Sequence, residues 1–530
     1  MRFLLLSLSL FIIRLGGFAQ NIELRSLTTY APDMSDIWGY SDGEHEYALA
    51  STSKYFTIVD VTDPENPVKL HQVDGPNSYW RDIKTWGNYA YGVQDIPNNP
   101  NQGVGITIMN LSDLQNEMPV SFWKNDGSLS SDLKIAHNIF IDEFGYAYIC
   151  GHNFGSGGVL ILDLTQDPEN PTVVGEFTNN YVHDCYVRDN ILYTSDENSN
   201  GGTFTIVDVS DKSNLTILAT ENTPGNTSHN NWLSDDGQTI FTTDENSGAY
   251  LAAYDISDFN DIEELDRYRS SPGMSVIPHN VFIKDDFAII SYYRDGVKIL
   301  DVSQPDNMVE VGGYDTSPNF SGNGFNGAWG VYPYLPSGNI LVTDIEEGLY
   351  VLTPTYKRAT QIKGIVTDLN SGNPIFDATV EIKHNSDTEL SSSNLSGQFG
   401  GGFTSDGAFT LTVSKNGYSS YSETFNLNLG DVKEVQVELE KTTAVNNALT
   451  DKITLVQNPV KQLIRLRNEI EVRAPMQINL YDLSGQLVTS MENDGDANIS
   501  IPVDYLNNGV YILEIMTDDS LIGWAKVLKN

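Results

Sequence analysis

A short apolar segment that ends in Asp or Asn recurs through the first two thirds of the chain. It reads FTIVD at 56–60 and returns as ITIMN at 106–110, LILD at 160–163, FTIVD at 204–208, AAYD at 252–255, VKILD at 297–301 and, in degenerate form, GLYVLT at 348–353. Copies at intervals of roughly 50 residues, each set among several short strand-like segments, are typical of β-propeller blades. Seven copies predict a seven-bladed β-propeller over residues 20–356.

Each repeat contains about four short segments rich in β-branched and aromatic residues, separated by Gly, Pro, Asn and Asp. The last repeat, from Trp329 to Thr353, has only three. We predict that the alternating segment 22–30 supplies the missing strand, because an open ring would leave unpaired sheet edges. The Asp that ends each copy, such as Asp60, is expected to cap the turn that follows it.

Composition supports an all-β exported protein. The chain has 530 residues, is 40% hydrophobic and shows no long amphipathic helical pattern. A net charge of -41 excludes binding to a nucleic-acid backbone, which needs basic surface. Residues 1–19 form a predicted signal peptide with a small-x-small cleavage site that ends at Ala19. No later segment is apolar for long enough to predict a membrane span.

The chain has two cysteines, too few for a disulfide scaffold. Cys150 ends the predicted second strand of blade 3, and Cys185 lies in the first strand of blade 4. Because neighbouring blades touch, a disulfide between them is one expectation in an oxidising compartment. Two buried free thiols are the alternative.

Four of the eight histidines occupy one position in four consecutive repeats. They are His137, His183, His229 and His279, and the same position is taken by the segment Trp80-Arg81-Asp82 in blade 2 and marked by Trp38 and Trp329 in blades 1 and 7. The ends of the predicted second strands return to the same face and carry His152, Asp196, Glu197, Asp244 and Glu245. Equivalent positions in a rotationally symmetric fold lie on one circle, so these side chains are expected around one channel mouth.

Imidazoles and carboxylates together predict a divalent-metal site. Histidine nitrogens suit zinc, whereas oxygen-rich clusters suit calcium, and no cofactor beyond such an ion is indicated. The metal-ligand candidates are His137, His183, His229, His279, His152, Asp196 and Asp244. Glu197 and Glu245 are the candidate general bases, and the ligand-binding candidates are Trp38, Arg81, Asp82, Arg294 and Trp329. In the alternative interpretation, each histidine only ties its blade to the backbone of the next.

Two further domains follow the repeats. Residues 361–440 resemble a carboxypeptidase-regulatory-like domain in segments such as 362–368 and 407–418, which implies a transthyretin-like β-sandwich without chemistry of its own. A linker is predicted over 441–452. Residues 453–530 resemble the type IX secretion (Por) C-terminal sorting domain in the segments 457–460, 478–488, 506–515 and 526–529. That resemblance implies passage through the periplasm to a secreted or outer-membrane cell-surface location, with the type IX secretion machinery as a partner.

The repeats themselves resemble the LVIVD-repeat proteins grouped as the choice-of-anchor B family. The resemblance covers residues 30–355 and rests on segments such as 79–83, 136–139, 278–280, 292–297 and 327–333. It implies the fold and the location and assigns no activity. We therefore expect a surface binding module whose partner is a glycan or an envelope protein, and favour a non-enzymatic role. A metal-dependent hydrolase or lyase is the alternative.

Overall fold

The computed structural model describes residues 19–197, 201–441, 453–469, 475–517 and 520–530. The predicted signal peptide, apart from Ala19, and the predicted linker, apart from Lys441, lie outside these residues. The described residues form β-strands and one short 3-10 helix, Pro100–Gln102, so the all-β prediction is confirmed.

Residues 19–354 form seven antiparallel sheets, each built mainly from consecutive strands. Blade 1 contains Met34–Ser41, Glu46–Thr52, Tyr55–Asp60 and Val68–Asp74, and blade 2 contains Trp80–Trp86, Tyr89–Asp95, Ile106–Asn110 and Val120–Trp123. Blade 3 contains Asn138–Ile141, Tyr146–Cys150, Val159–Asp163 and Thr172–Phe177, and blade 4 contains Asp184–Arg188, Ile191–Asp196, Thr203–Asp208 and Thr216–Asn222. Blade 5 contains Ser228–Leu233, Thr239–Asp244, Leu251–Asp255 and Glu263–Tyr268. Blade 6 contains Val281–Lys284, Phe287–Ser291, Val297–Asp301 and Val309–Tyr314, and blade 7 contains Ala328–Tyr332, Ile340–Asp344 and Gly348–Pro354.

The first strands of the seven blades contact one another in a closed cycle, from blade 1 through blade 7 and back to blade 1. They therefore line a central channel, and the other strands of each blade lie outside them. Buried Val, Ile, Leu and aromatic side chains pack between successive blades, as Ile161, Val187, Leu192 and Ile206 do between blades 3 and 4. This apolar packing fixes the position of every first strand around the axis.

The N-terminal strand closes the ring as predicted. Ile22–Thr28 pairs with Gly348–Pro354, so that Leu24 lies opposite Leu352 and completes blade 7. The two residues before it, Ala19–Gln20, form an additional edge strand on blade 6. The chain passes from one blade to the other through Asn21, whose φ of 54° is left-handed, a conformation that Asn adopts more readily than most residues.

The repeated Asp residues cap turns, as the sequence predicted. Asp60 Oδ1 accepts the backbone N–H of Thr62 at 3.0 Å, and Asp208 Oδ1 accepts that of Ser210 at 2.8 Å. Asp301 does more, because its Oδ2 also accepts the N–H of Ala359 at 2.8 Å, where the chain leaves the propeller. The repeat motif therefore serves the fold.

Residues 360–439 form a two-sheet sandwich that docks on blade 6. One sheet contains Gln398–Phe403, Thr360–Asp368 and Val432–Leu439, and the other contains Asp387–Ser392, Thr379–His384, Gly407–Ser414 and Tyr421–Leu427. Asn307 of the propeller donates to Gln361 Oε1 at 3.0 Å and to the Gly401 carbonyl at 3.2 Å, and Lys363 pairs with Asp306 at 2.8 Å. Residues 398–402 of the glycine- and serine-rich segment 391–402 are strand residues that pair with Thr360–Asp368.

The C-terminal segment forms a second small sandwich. One sheet contains Ile453–Leu455, Leu463–Asn468 and Asn498–Pro502, and the other contains Leu487–Asn493, Met476–Tyr481, Gly509–Thr517 and Ser520–Lys529. Its apolar core includes Ile464, Ile478, Leu513 and Val527.

Candidate metal centre at the channel mouth

Local irregularities in the first strands bring the histidines into the channel. In blade 5, Ser228 pairs with Asp244 and Asn230 with Thr243, which leaves His229 as an extra residue in a bulge. A regular strand sends successive side chains to opposite faces, and a bulge re-aims one of them. In blades 3 and 6 the histidine precedes the first paired residue, and both members of His137–Asn138 and His279–Asn280 line one cavity.

The first strands stack three kinds of side chain along the channel. The mouth carries the histidines, and the next residue in six of the seven blades is Asp36, Asp82, Asn138, Asp184, Asn230 or Asn280, with Gly330 in blade 7. Two residues further on, the floor consists of Trp38, Lys84, Phe140, Tyr186, Trp232, Phe282 and Tyr332. The aromatic rings of the floor are in contact, with centroids 4.4 Å apart for Tyr186 and Trp232 and 4.7 Å apart for Trp232 and Phe282. Below the mouth, the channel is therefore filled with side chains.

A buried charge cluster joins Lys84 of the floor to the aspartates of the middle level. Lys84 Nζ lies 3.3 Å from Asp36 Oδ2 and also contacts Asp82 Oδ1. Burial opposes the charge on Lys84, but Asp82 and Asp36 outweigh it and raise the Lys84 pKa. Burial and the Asp82 charge raise the pKa of Asp184 to about 6. The predicted ligand-binding residue Asp82 thus lines the cavity but is held by Lys84 and by the backbone N–H of Ile139.

The four histidines form a continuous arc. Their ring centroids are 4.1 Å apart for His137 and His183, 4.2 Å for His183 and His229, and 4.3 Å for His229 and His279. The cavity between these rings and the facing side chains has a volume of about 40 Å³, which is enough for a few water-sized groups.

Three of the rings are tied through Nδ1 to the backbone of the next blade. His183 Nδ1 donates to the His229 carbonyl at 3.3 Å, His229 Nδ1 to the His279 carbonyl at 3.2 Å, and His279 Nδ1 to the Trp329 carbonyl at 2.6 Å. A carbonyl oxygen only accepts, so Nδ1 carries the proton and Nε2 of the neutral ring keeps its lone pair. Metal-binding histidines are commonly anchored in this way, because the bond fixes both the tautomer and the ring orientation.

Two glutamates face the Nε2 atoms. Glu245 Oε1 lies 3.7 Å from His279 Nε2, and its Oε2 lies 3.8 Å from His229 Nε2. Glu197 Oε2 lies 4.0 Å from His183 Nε2. These distances are too long for direct hydrogen bonds. Ligand atoms around a tetrahedral zinc ion with bonds of about 2.1 Å are about 3.4 Å apart, so separations of up to 4.8 Å among His229, Glu245 and His279 must shorten to that value when an ion binds.

The described residues contain one group of three or more His, Cys, Asp and Glu side chains with ligand atoms close enough to share an ion. It consists of His229, Glu245 and His279, whose ligand atoms all lie within 4.8 Å of one another. Burial lowers the His279 pKa to about 3, and burial together with the neighbouring imidazoles lowers the His229 pKa well below its usual range. Both rings are therefore neutral at physiological pH, which is the form that binds a metal.

Tyr293 supports this group and was not singled out by the sequence patterns. Its hydroxyl donates to Glu245 Oε1 at 2.5 Å, and its ring centroid lies 4.8 Å from that of His279. Burial raises the pKa of Glu245 to about 7, against which the Tyr293 hydrogen bond acts. Tyr293 is buried and has a φ of 35°, a strained conformation of the kind that clusters at functional sites. The feature of the sequence that could have identified Tyr293 is its place in segment 292–297, one of the segments that resemble the choice-of-anchor B family.

His137 differs from the other three histidines. Its Nδ1 lies 3.0 Å from Asp95 Oδ2 instead of a backbone carbonyl. Trp80 is its neighbour on the other side, with ring centroids 6.3 Å apart. His137 is therefore tied to a side chain of blade 2 and not to the backbone of the next blade.

Three of the predicted metal ligands are used elsewhere. Asp196 accepts hydrogen bonds from Thr203 Oγ1 at 3.1 Å and Thr205 Oγ1 at 2.6 Å, and Asp244 accepts the N–H groups of Gly225 and Thr227. These carboxylates anchor loops at the rim. His152 Nδ1 accepts the N–H of Phe154 at 3.2 Å, and the ring lies outside the three-ligand group.

The predicted ligand-binding residues divide between the cavity and its surroundings. Trp329 lines the cavity. Arg81 borders it, but its guanidinium packs over the Phe56 ring at 5.3 Å. Trp38 lies in the floor, and Arg294 holds the following loop through Asn326 Oδ1 at 3.1 Å and the Ser321 carbonyl at 3.0 Å.

Family models match three parts of the chain. The LVIVD repeat matches residues 181–223 and 278–316, which contain His183 and His279. The carboxypeptidase regulatory-like domain matches residues 361–440, and the secretion system C-terminal sorting domain matches residues 458–529. The chain carries all three, and its sorting domain directs type IX secretion to the cell surface or the exterior, with the secretion machinery as a partner.

No curated protein matched this chain. A putative 6-phosphogluconolactonase from Bacteroides fragilis NCTC 9343 is 13% identical over 55% of this chain and 94% of its own, with a TM-score of 0.41. One from Bacteroides uniformis ATCC 8492 is 14% identical over 55% of this chain and 89% of its own, also with a TM-score of 0.41. Within the described residues, no helix is long and apolar enough to cross a membrane.

Proposed function

We propose that the exported propeller binds a divalent transition-metal ion, with zinc as the best match, and uses it to hold a partner at the cell surface. His229 Nε2, His279 Nε2 and Glu245 are the ligands. The observation that carries the proposal is three donor groups within 4.8 Å of one another, two of them imidazoles with Nδ1 already tied down. Histidine and carboxylate ligands favour zinc over calcium or magnesium.

The backbone anchoring of the histidines is compatible with both interpretations made from the sequence. A purely structural histidine needs one hydrogen bond, and the Nδ1 bond supplies it. The purely structural interpretation does not explain why Glu245 is buried beside the Nε2 lone pairs of two histidines. Burial there disfavours the charged form of the carboxylate. A cation between them compensates that penalty, because it binds the carboxylate and both lone pairs.

Three protein ligands leave a zinc ion one open position. The remaining space in the mouth is small, so it admits one oxygen or nitrogen group together with water and excludes a bulky side chain. A surface glycan or an envelope protein that presents such a group is the partner we propose. In this function the ion contributes affinity and the rim contributes selectivity.

A metal-dependent hydrolase or lyase is the second candidate function, and the His137–Asp95 pair favours it. Asp95 Oδ2 lies 3.0 Å from His137 Nδ1 and orients the ring, as the partner of a general base does. A bound zinc ion would supply an activated water at neutral pH. Binding alone does not need His137, so a His137→Gln variant separates the two functions: it keeps metal and partner binding, and it loses turnover only if the site is catalytic.

Zinc titration of chelator-treated full-length protein tests the proposal. We expect one zinc ion per chain by calorimetry and by elemental analysis, with no comparable binding of calcium or magnesium. Glu245→Gln should weaken zinc binding by about 100-fold or more, because it removes a ligand. Glu197→Gln is the matched control, since it neutralises the other mouth carboxylate outside the three-ligand group, and should change affinity only a few-fold. Absence of zinc binding to the wild type, or equal losses in the two variants, would overturn the proposal.

A further inference from the structure

The two cysteines meet at the interface between blades 3 and 4, outside the channel. Cys150 Sγ and Cys185 Sγ are 3.2 Å apart although the residues are 35 positions apart in the sequence. Both thiols are buried in the apolar core between these blades, next to Tyr148 and Val182. A disulfide bond is about 2.05 Å long, so the sulfur atoms need to approach by only about 1.1 Å.

We propose that Cys150 and Cys185 form a disulfide that links blades 3 and 4 in the exported protein. The sorting domain directs the chain to the cell surface or the exterior, and disulfides form and persist in such compartments. The chain has two cysteines, so no alternative pairing within it competes. The link ties strand Tyr146–Cys150 to strand Asp184–Arg188.

The reaction is a thiol–disulfide exchange with an oxidant that carries a protein or small-molecule disulfide. One cysteine thiolate attacks that disulfide, forms a mixed disulfide and releases one thiolate of the oxidant. The second cysteine thiolate then attacks the mixed disulfide, forms the Cys150–Cys185 bond and releases the other thiolate. The two cysteines lose two protons and two electrons, and the disulfide of the oxidant becomes two thiols.

Burial determines when this bond forms. Both sulfur atoms are shielded from solvent, and burial raises the pKa of the Cys150 thiol well above its usual value. The thiolate is the reactive form, so the folded, reduced propeller reacts slowly with an oxidant. The bond therefore forms while the chain folds, before blades 3 and 4 have closed on each other.

The link lies directly beside the first two histidines of the arc. The Cys150 carbonyl accepts the N–H of His137 at 2.9 Å, and Cys185 follows His183 and Asp184 in the chain. A covalent bond at this point fixes strand Asp184–Arg188, which follows His183, to strand Tyr146–Cys150, whose Cys150 lies opposite Asn138, the neighbour of His137. It also restricts the unfolded chain, which is the usual way in which a disulfide stabilises a fold.

Thiol labelling of the exported full-length protein tests the proposal. Protein recovered after export is denatured without reductant and treated with an alkylating agent. We expect no label and an intact mass lighter by two hydrogen atoms than the reduced form, followed by two labels after reduction. Reduction should lower the melting temperature by roughly 5 °C in the wild type and leave that of a Cys150→Ala, Cys185→Ala variant unchanged.

A second measurement tests the timing. Reduced protein that is already folded should stay reduced in oxidised glutathione, whereas denatured protein refolded in the same buffer should form the bond. Two labelled thiols in exported, denatured protein would overturn the proposal. Equally fast oxidation of the folded protein would overturn the argument from burial.

Discussion

The propeller mouth and the sandwich of residues 360–439 each bury histidine rings that are tied to the backbone, but the surroundings of the second ring nitrogen differ. In the sandwich that follows the propeller, His384 Nδ1 bonds to the Ala408 carbonyl at 3.0 Å, much as His229 Nδ1 bonds to the carbonyl of His279. The other nitrogen differs. His384 Nε2 is bonded to the Asn385 amide at 2.7 Å, whereas His229 Nε2 faces a buried glutamate.

Anchoring through Nδ1 is therefore not what distinguishes a site from a core histidine. His384 also stacks on Phe409, with ring centroids 4.3 Å apart, and both its polar atoms are satisfied. The mouth histidines instead point their lone pairs at an acidic group in a polar cavity. What the second nitrogen faces is the informative feature, and the following predictions test it.

The largest effect is expected from removing the mouth imidazoles. His229→Ala combined with His279→Ala takes away two of three ligands and should weaken zinc binding by more than about 100-fold, as measured by calorimetry. His384→Ala removes an equally anchored ring from the sandwich and should leave zinc affinity unchanged while it lowers the stability of that domain. If the double variant and His384→Ala lost zinc affinity to a similar extent, the group that faces the second nitrogen would not distinguish a metal-binding histidine from a core histidine.

His152 extends the comparison to acid stability. Its Nδ1 accepts a backbone N–H, its Nε2 has no hydrogen-bond partner among the residues that the structure describes, and burial lowers its pKa from 6.5 to about 4. Between pH 6.5 and 4 the unfolded chain binds more protons at this residue, so the free energy of unfolding falls as the pH falls. In His152→Asn, the amide oxygen takes the place of Nδ1 and the titration is lost.

Urea unfolding at pH 8 and pH 5 measures this effect. The wild type should lose more stability than His152→Asn between these two values, by up to about 2 kcal/mol, since each pH unit contributes at most about 1.4 kcal/mol. Parallel losses in the two proteins would show that His152 is protonated in the folded state.

The smallest effect concerns the tyrosines that hold carboxylates in the two domains. Tyr293→Phe removes the hydrogen bond to Glu245 and should weaken zinc binding about 10-fold, because outer partners orient the ligands of a metal site. Tyr418→Phe removes a matched bond to Asp368, which is 3.0 Å long, in the sandwich. Its zinc affinity should equal that of the wild type, and a loss there would assign the Tyr293 effect to general destabilisation.

The sequence predicted the architecture well because repetition carries it. The alternating segment that pairs Leu24 with Leu352 was found from a missing strand in the last repeat. The shared position of His183, His229 and His279 was found in the same way, since duplicated residues in a ring share one radius. Arguments from sequence repetition predict where the backbone of a residue lies in the ring.

The finer features of the site depend on side-chain directions that a repeat does not encode. The bulge at His229 decides that this ring enters the channel, and no residue type marks it. Asp244 and Glu245 are neighbours at the same rim, yet the first anchors a loop through Gly225 and the second faces the imidazoles. Tyr293 contacts Glu245 from the next blade, and only the folded chain brings the two together.

Pairing of the first strand with the last has a consequence for the timing of assembly. Ile22–Thr28 emerges early in any vectorial synthesis or translocation, but its partner, Gly348–Pro354, arrives only when the whole ring has been delivered. Until then blade 7 has a bare edge, and a chain cut short before residue 348 exposes it permanently. Contacts between such distant segments also slow folding. The pairing of Ile22–Thr28 with Gly348–Pro354 therefore distinguishes full-length from truncated chains. A full-length chain covers the open edge of blade 7, whereas a truncated chain leaves it exposed to aggregation and to proteases.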